Sequence, residues 1–137
     1  MLVLPVGLWM LALTVHDVRD RRLPNALTLP GSAAVLAWAA VTGRGPAAAA
    51  GALALAGGYL AVHLVMRAAM GAGDVKLAIG LGALTGAFGI APWALAAIGA
   101  PLLTAVAGVL TRRRVLPHGP SMCAASALAL LPLLLTP

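Results

Sequence analysis

The chain contains three acidic residues, Asp17, Asp20 and Asp74, and no glutamate. Asp17 lies at the end of a first apolar segment, and Asp74 lies at the start of a later one. Two carboxyl groups that share one site cannot easily both ionise, so that one holds a proton while the other stays charged. Such a pair supplies a general acid and a general base for the attack of water on a peptide bond. Asp17 and Asp74 are therefore the candidate catalytic residues.

The residues around these carboxylates favour a functional role. Gly71 and Gly73 precede Asp74 and would let a substrate backbone approach its carboxylate, because glycine has no side chain. The Pro24-Asn25 pair predicts a turn before the second helix. An alternative remains, in which both carboxylates are solvated loop residues that balance nearby basic side chains, since charges at helix ends are tolerated.

Four other polar residues are weaker candidates. Asp20 lies among three arginines and is interpreted as a solvated partner of those charges. His16 is interpreted as a polar neighbour rather than a metal ligand, whereas His63 is expected to line the site cavity or bond another helix. Lys76 either lowers the pKa of Asp74, contacts the substrate, or anchors a helix at the membrane interface.

Serine, cysteine and metal chemistry are not favoured. The serines at positions 32, 121 and 126 lack a Gly-x-Ser-x-Gly setting and an obvious histidine partner. The single cysteine, Cys123, excludes an internal disulfide and a multi-cysteine metal site. We therefore expect no metal and no cofactor.

The composition is that of a membrane protein. Of the 137 residues, 62% are hydrophobic and only 9% are charged, whereas soluble domains have about 25% charged residues. A spanning helix takes about 20 residues, so the chain has room for at most six helices and no water-soluble domain. Aromatic residues make up 4%, too few for the base-stacking surface of a nucleic-acid binder.

The charge distribution predicts the topology. Polar or turn-forming stretches separate six apolar segments, at residues 17–25, 43–46, 67–74, near 89, and 111–120. The apolar segments show no alternation typical of membrane strands, which favours an all-α fold. If residues 75–110 cross the membrane twice, eight of the nine basic residues share one side, and only Arg44 lies opposite. The positive-inside rule then predicts six transmembrane helices, a cytoplasmic basic side and both termini outside.

These motifs together resemble the type IV prepilin peptidase family of GxGD intramembrane aspartic proteases. The resemblance rests on Asp17 followed seven residues later by Pro24-Asn25, and on Gly-Ala-Gly-Asp-Val-Lys-Leu at 71–77. The turn Pro-His-Gly-Pro at 117–120 is also similar to one in the family, and Leu23 stands where isoleucine is common. By this resemblance Asp17 and Asp74 are the catalytic pair.

The resemblance also implies a substrate and a location. The expected substrate is a prepilin or pseudopilin, with a basic leader followed by an apolar helix, cut at the cytoplasmic face of the cytoplasmic membrane. Longer family members carry an N-terminal region, often with a four-cysteine metal site, that is associated with methylation. This sequence resembles the short form, a single peptidase domain over residues 1–137, for which no methyltransferase activity is expected. A non-catalytic membrane assembly subunit, or a small carrier that uses the carboxylates for binding, is the alternative function.

Overall fold

The computed structural model describes residues 2–136, and over that range it contains helices and no strands. The six helices are α1 (Val3–Asp20), α2 (Asn25–Val41), α3 (Gly45–Val65), α4 (Ala72–Gly86), α5 (Ile90–Thr111) and α6 (Gly119–Leu135). Each predicted apolar segment corresponds to one helix. The predictions of an all-α fold and of six helices are confirmed.

A glycine separates α4 from α5. Gly89 has φ +115°, a conformation that residues with side chains rarely adopt. The backbone therefore leaves the helical path here, and α5 begins at the next residue, Ile90. Residues 75–110 form two helices rather than one long helix.

Helix α4 is the central element, and it packs against α2, α3, α5 and α6. Every residue from Gly80 to Ala87 is buried. The helix approaches α3 closely where glycines face each other: a Cβ built on Gly86 would lie 2.8 Å from the Gly51 Cα atom. Small residues at such a crossing let two backbones come together without a large side chain between them.

The outer surface of the bundle is apolar. Helix α5 exposes a row of large aliphatic side chains spaced three or four residues apart, at Leu95, Ile98, Leu102, Val106 and Val109. Helices α3 and α5 are long and apolar enough to cross a membrane, and α2 and α6 are apolar but shorter. An exposed apolar surface of this extent is typical of a protein in contact with lipid.

The connections between helices gather at two ends of the bundle. The guanidinium of Arg44, before α3, lies 4.6 Å from the centroid of the Phe88 ring, which follows α4. The start of α2 contacts the start of α4 through Asn25 and Lys76. The first contact lies just after the ends of α2 and α4, and the second lies at their starts. Because each helix extends by about 1.5 Å per residue, the two contacts lie at opposite ends of the bundle. Asp17 and Asp74, the candidate catalytic residues, both lie at the end of the bundle where α2 and α4 start.

Candidate active site

Asp17 occupies the last turn of α1 and points into the protein. Its side chain is only 6% exposed. The backbone N–H of Gly119, at the start of α6, donates a hydrogen bond to Asp17 Oδ2 at 2.9 Å. This carboxylate therefore has a partner on a helix far away in sequence, rather than among the neighbouring arginines.

Asp74 lies in the first turn of α4 and shares a cleft with Asp17. The cleft has a volume of about 280 Å³ and opens at the end of the bundle where α1 ends and α4 begins. Its wall also contains Arg21, Arg22 and Lys76. The structure therefore brings the two predicted carboxylates to one cavity with a cationic rim.

Both carboxyl groups lie in polar stretches between the apolar segments, and burial raises both pKa values. Burial raises the pKa of Asp17, and the hydrogen bond from Gly119 opposes that rise. Burial raises the pKa of Asp74 to about 6, with a further contribution from the charge of Asp17, while a backbone hydrogen bond with Gly71 opposes the rise. Asp74 therefore keeps its proton at a pH where an ordinary carboxyl group has lost it.

The predicted supporting residues connect the two motifs. Pro24 precedes α2 with φ −67°, and its carbonyl accepts the N–H of Leu27 and of Thr28 at 3.0 Å each. Asn25, the first residue of α2, accepts a hydrogen bond on Oδ1 from Lys76 Nζ at 2.8 Å. This contact gives Lys76 a role that was not considered from the sequence, as a link between α2 and α4 at the rim of the cleft.

The two glycines before Asp74 have different surroundings. A Cβ on Gly73 would lie 3.2 Å from Leu23 Cβ, so this glycine also permits tight packing of α4 on the α1–α2 connection. A Cβ on Gly71 would lie 3.5 Å from Asp74 Oδ2, an ordinary contact distance, and this glycine is exposed at the cleft. Only Gly71 therefore matches the expectation of a position left open for a substrate.

Three of the four weaker candidates, His16, Asp20 and His63, lie outside the cleft. Asp20 is exposed and does not line it. His16 is also exposed, and its Nδ1 bonds the Ala12 carbonyl at 2.7 Å within its own helix. His63 Nδ1 bonds the carbonyl of Met70 at 2.6 Å, and so fixes the connection that precedes Gly71.

Three residues missed at the sequence level are joined by hydrogen bonds beside Gly119, the partner of Asp17. His118 bonds Tyr59 and Thr104 through its two ring nitrogens, at 2.9 Å and 2.6 Å. All three line a second cavity of about 770 Å³ between α3 and α5. The sequence signal for His118 and Gly119 was the turn at 117–120, which had no assigned role; nothing in the sequence singled out Tyr59 or Thr104.

The cleft has the parts required for acid–base chemistry on a bound water. Two carboxyl groups share one cavity, burial raises the pKa of both, and one of them accepts the backbone N–H of Gly119. Within residues 2–136, no group of three or more His, Cys, Asp or Glu side chains is arranged to hold a metal ion. The arrangement fits a carboxylate pair that activates water and protonates the reacting groups.

Comparison with known families agrees with this chemistry. The model of the type IV leader peptidase family matches residues 4–113, which include both carboxylates and both motifs. No curated protein and no solved structure shows significant similarity to the chain. Because the match covers most of the sequence, the chain belongs to the type IV leader peptidase family, and its activity is that of a peptidase.

Proposed function

We propose that the chain is an aspartic endopeptidase that removes the leader peptide of prepilin-like proteins. The observation that carries this proposal is the cleft shared by Asp17 and Asp74, which come from separate helices and separate motifs. The charge of Asp17 contributes to the raised pKa of Asp74, as expected for two interacting carboxyl groups. A family of leader peptidases and a carboxylate pair in one cleft support the same reaction.

The reaction needs one charged and one protonated carboxyl group. The charged group takes a proton from water while the water oxygen bonds to the scissile carbonyl carbon, and the protonated group gives its proton to the carbonyl oxygen. When the resulting diol collapses, the carbon–nitrogen bond breaks and the leaving amine receives the proton taken from water. A diol hydroxyl returns the other proton, so both carboxyl groups regain their first state.

The proposed membrane arrangement has six crossings, both termini outside and the active site at the cytoplasmic face. Two observations support it. Arg44 lies at one end of the bundle, against Phe88. Arg21, Arg22 and Lys76 line the cleft at the other end, where the positive-inside rule expects the cytoplasm.

The proposed substrate carries a basic leader followed by an apolar helix, as in pilins and secretion pseudopilins. The cavity between α3 and α5 offers a place for the apolar part beside the cleft. Its lining is mostly apolar, and its volume of about 770 Å³ is within the usual range of ligand pockets. Met70 lines this cavity and the next residue, Gly71, lines the catalytic cleft, so a substrate can occupy both.

The decisive experiment is cleavage of a co-expressed prepilin, followed as a mobility shift on a gel. Asp17→Asn and Asp74→Asn should each abolish cleavage while the protein still accumulates in the membrane, because asparagine keeps the shape and loses the ionisable group. The double variant should be no worse than either single one, since the carboxyl groups act as a unit.

Asp20→Asn is the matched control, because Asp20 is exposed on the same helix end and outside the cleft. It should retain most of the cleavage activity. Full cleavage by the Asp74→Asn variant would refute the protease proposal and favour a non-catalytic membrane subunit or carrier. An inactive Asp20→Asn variant beside an active Asp17→Asn variant would move the catalytic role to Asp20.

A further inference from the structure

His118 is held on two sides by other helices. Tyr59 of α3 contacts His118 Nε2 at 2.9 Å, and Thr104 of α5 contacts His118 Nδ1 at 2.6 Å. Tyr59 is buried, and Thr104 and His118 are half-buried. The start of α6 is thus attached to both helices that flank the larger cavity.

The hydrogen bonds fix the direction of each donor. The Thr104 hydroxyl donates to the carbonyl of Ala100 at 3.1 Å, so its oxygen accepts the Nδ1–H of His118. His118 Nε2 then has no proton and accepts the O–H of Tyr59. Burial lowers the pKa of His118, which lies in the polar stretch before α6, and this agrees with a neutral ring.

The residue after this histidine is the partner of Asp17. Gly119 donates its N–H to Asp17 Oδ2 at 2.9 Å. A Cβ at Gly119 would lie 2.5 Å from the same oxygen and 3.1 Å from Asp17 Cγ, so the carboxylate rests directly on the backbone. Any movement of the His118 backbone therefore changes the contact with Asp17.

We propose that Tyr59, His118 and Thr104 are positioning residues that hold the Gly119 N–H against Asp17, and that this contact makes Asp17 the general base and Asp74 the general acid. The inference rests on the proposed peptidase function. A backbone N–H aimed at a carboxylate stabilises its charged form.

The division of roles follows from the two environments. Burial raises the pKa of both carboxyl groups and a backbone hydrogen bond opposes the rise in each, but only the pKa of Asp74 is raised further by the charge of the other carboxylate. Asp17 therefore takes the proton from water as the new carbon–oxygen bond forms. Asp74 gives its proton to the carbonyl oxygen, which receives the electron pair of the former double bond.

The test compares two threonines of α5. Thr104→Val removes the acceptor of His118, whereas Thr111→Val removes a hydroxyl that bonds only the carbonyl of Ala107 in the described structure. The full chain in detergent, with a prepilin substrate, should give a kcat about tenfold lower for Thr104→Val, with KM within about twofold. The acidic limb of its pH profile should move up by about one pH unit, because Asp17 loses a hydrogen bond to its charged form.

Tyr59→Phe should change kcat and the acidic limb in the same direction, and Thr104→Ser should restore both because it keeps the hydroxyl. Thr111→Val should match the parent. Unchanged acidic limbs in Thr104→Val and Tyr59→Phe, with kcat intact, would overturn the positioning role. An equal loss in Thr104→Ser and Thr104→Val would also overturn it.

Different results would refute the positioning role and the proposed peptidase function. If the parent cleaves the prepilin and Asp17→Asn and Asp74→Asn do not, the carboxylate mechanism stands whatever the Thr104 variants do. If Asp74→Asn cleaves fully, the acid–base assignment fails together with the proposed function. Melting temperatures of the Thr104 variants separate a loss of fold from a loss of positioning, since a correctly folded Thr104→Val with the parent's pH profile refutes the inference.

Discussion

Lys76 Nζ donates a hydrogen bond to Asn25 Oδ1 at 2.8 Å, and this contact joins the two motifs that carry the carboxylates. Asn25 begins α2, directly after the connection from the helix of Asp17. Lys76 lies two residues after Asp74 on α4. The bond therefore joins the two halves of the cleft at its rim.

Breaking this bond should reduce activity without unfolding the protein. Lys76→Met and Asn25→Ala should each lower cleavage by roughly two- to tenfold, as expected for the loss of a solvent-accessible hydrogen bond to a charged group. The double variant should lose little more than either single one, because both remove the same contact. Initial cleavage rates in vesicles measure the effect, and Arg67→Met, which removes an exposed cation from the connection before α4, is the control. Additive losses in the double variant would show that the two residues act separately.

The pH dependence of cleavage should reflect the raised pKa of Asp74. Its value of about 6 means that the proton needed by the general acid is present below that pH and lost as the pH rises through it. Activity should therefore fall on the alkaline side of about pH 6, well above the range of an ordinary carboxyl group. Rates measured from pH 4 to 9 on the detergent-purified chain test this, and a flat rate from pH 5 to 9 would contradict it.

The same pKa predicts how stability depends on pH. A carboxyl group whose pKa is higher in the folded state favours folding when protonated, so its charged form destabilises the fold above about pH 6. Asp74→Asn should therefore be more stable than the parent at pH 8, by on the order of 1–3 kcal/mol. The difference should vanish near pH 4, where the parent is also neutral at this position. Thermal unfolding at both pH values is the measurement, and Asp20→Asn, a change at an exposed carboxylate, is the variant for comparison.

The sequence predicted the helices and the carboxylates for clear physical reasons. Six apolar segments of this length have few alternatives to helices in a membrane, because the backbone must satisfy its own hydrogen bonds there. Asp17 and Asp74 stood out because a charge is costly beside apolar segments. Helix α4 nevertheless begins before the apolar segment, at Ala72, since its first turn lines the cleft and needs no apolar residues.

The hydrogen-bond partner of Asp17 could not be predicted from the sequence. Gly119 contributes a backbone N–H, which every residue other than proline carries, so its type gives no sign of the contact. Tyr59 and Thr104 are ordinary residues of apolar helices until the fold places them around His118. His63 was expected to line the site cavity or bond another helix, and it instead bonds the Met70 carbonyl in the connection before α4.

The close crossing of α3 and α4 should be sensitive to one methyl group. Gly86→Ala places a Cβ 2.8 Å from the Gly51 Cα atom and 2.9 Å from the Ala47 carbonyl oxygen, both of which are backbone atoms. We expect a loss of about 1–3 kcal/mol, since overpacking forces the helices apart. Gly57→Ala on α3 meets nothing within 4 Å and should be neutral or slightly stabilising. Melting temperatures in detergent compare the two variants, and equal values would mean that α3 and α4 separate without cost.

The ends of the bundle give a prediction for membrane orientation. Arg44 lies 4.6 Å from the Phe88 ring centroid, so the connections before α3 and after α4 share one end, away from the cleft. A reporter inserted after Gly43 should therefore read as external, and one fused after Arg114 should read as cytoplasmic, on the side of Asp17 and Asp74. Paired alkaline phosphatase and fluorescent-protein fusions at both positions measure this, since each reporter is active on one side only. An external reading at Arg114 would place the cleft outside, contrary to the proposed cleavage at the cytoplasmic face, and the six-crossing arrangement would have to be abandoned.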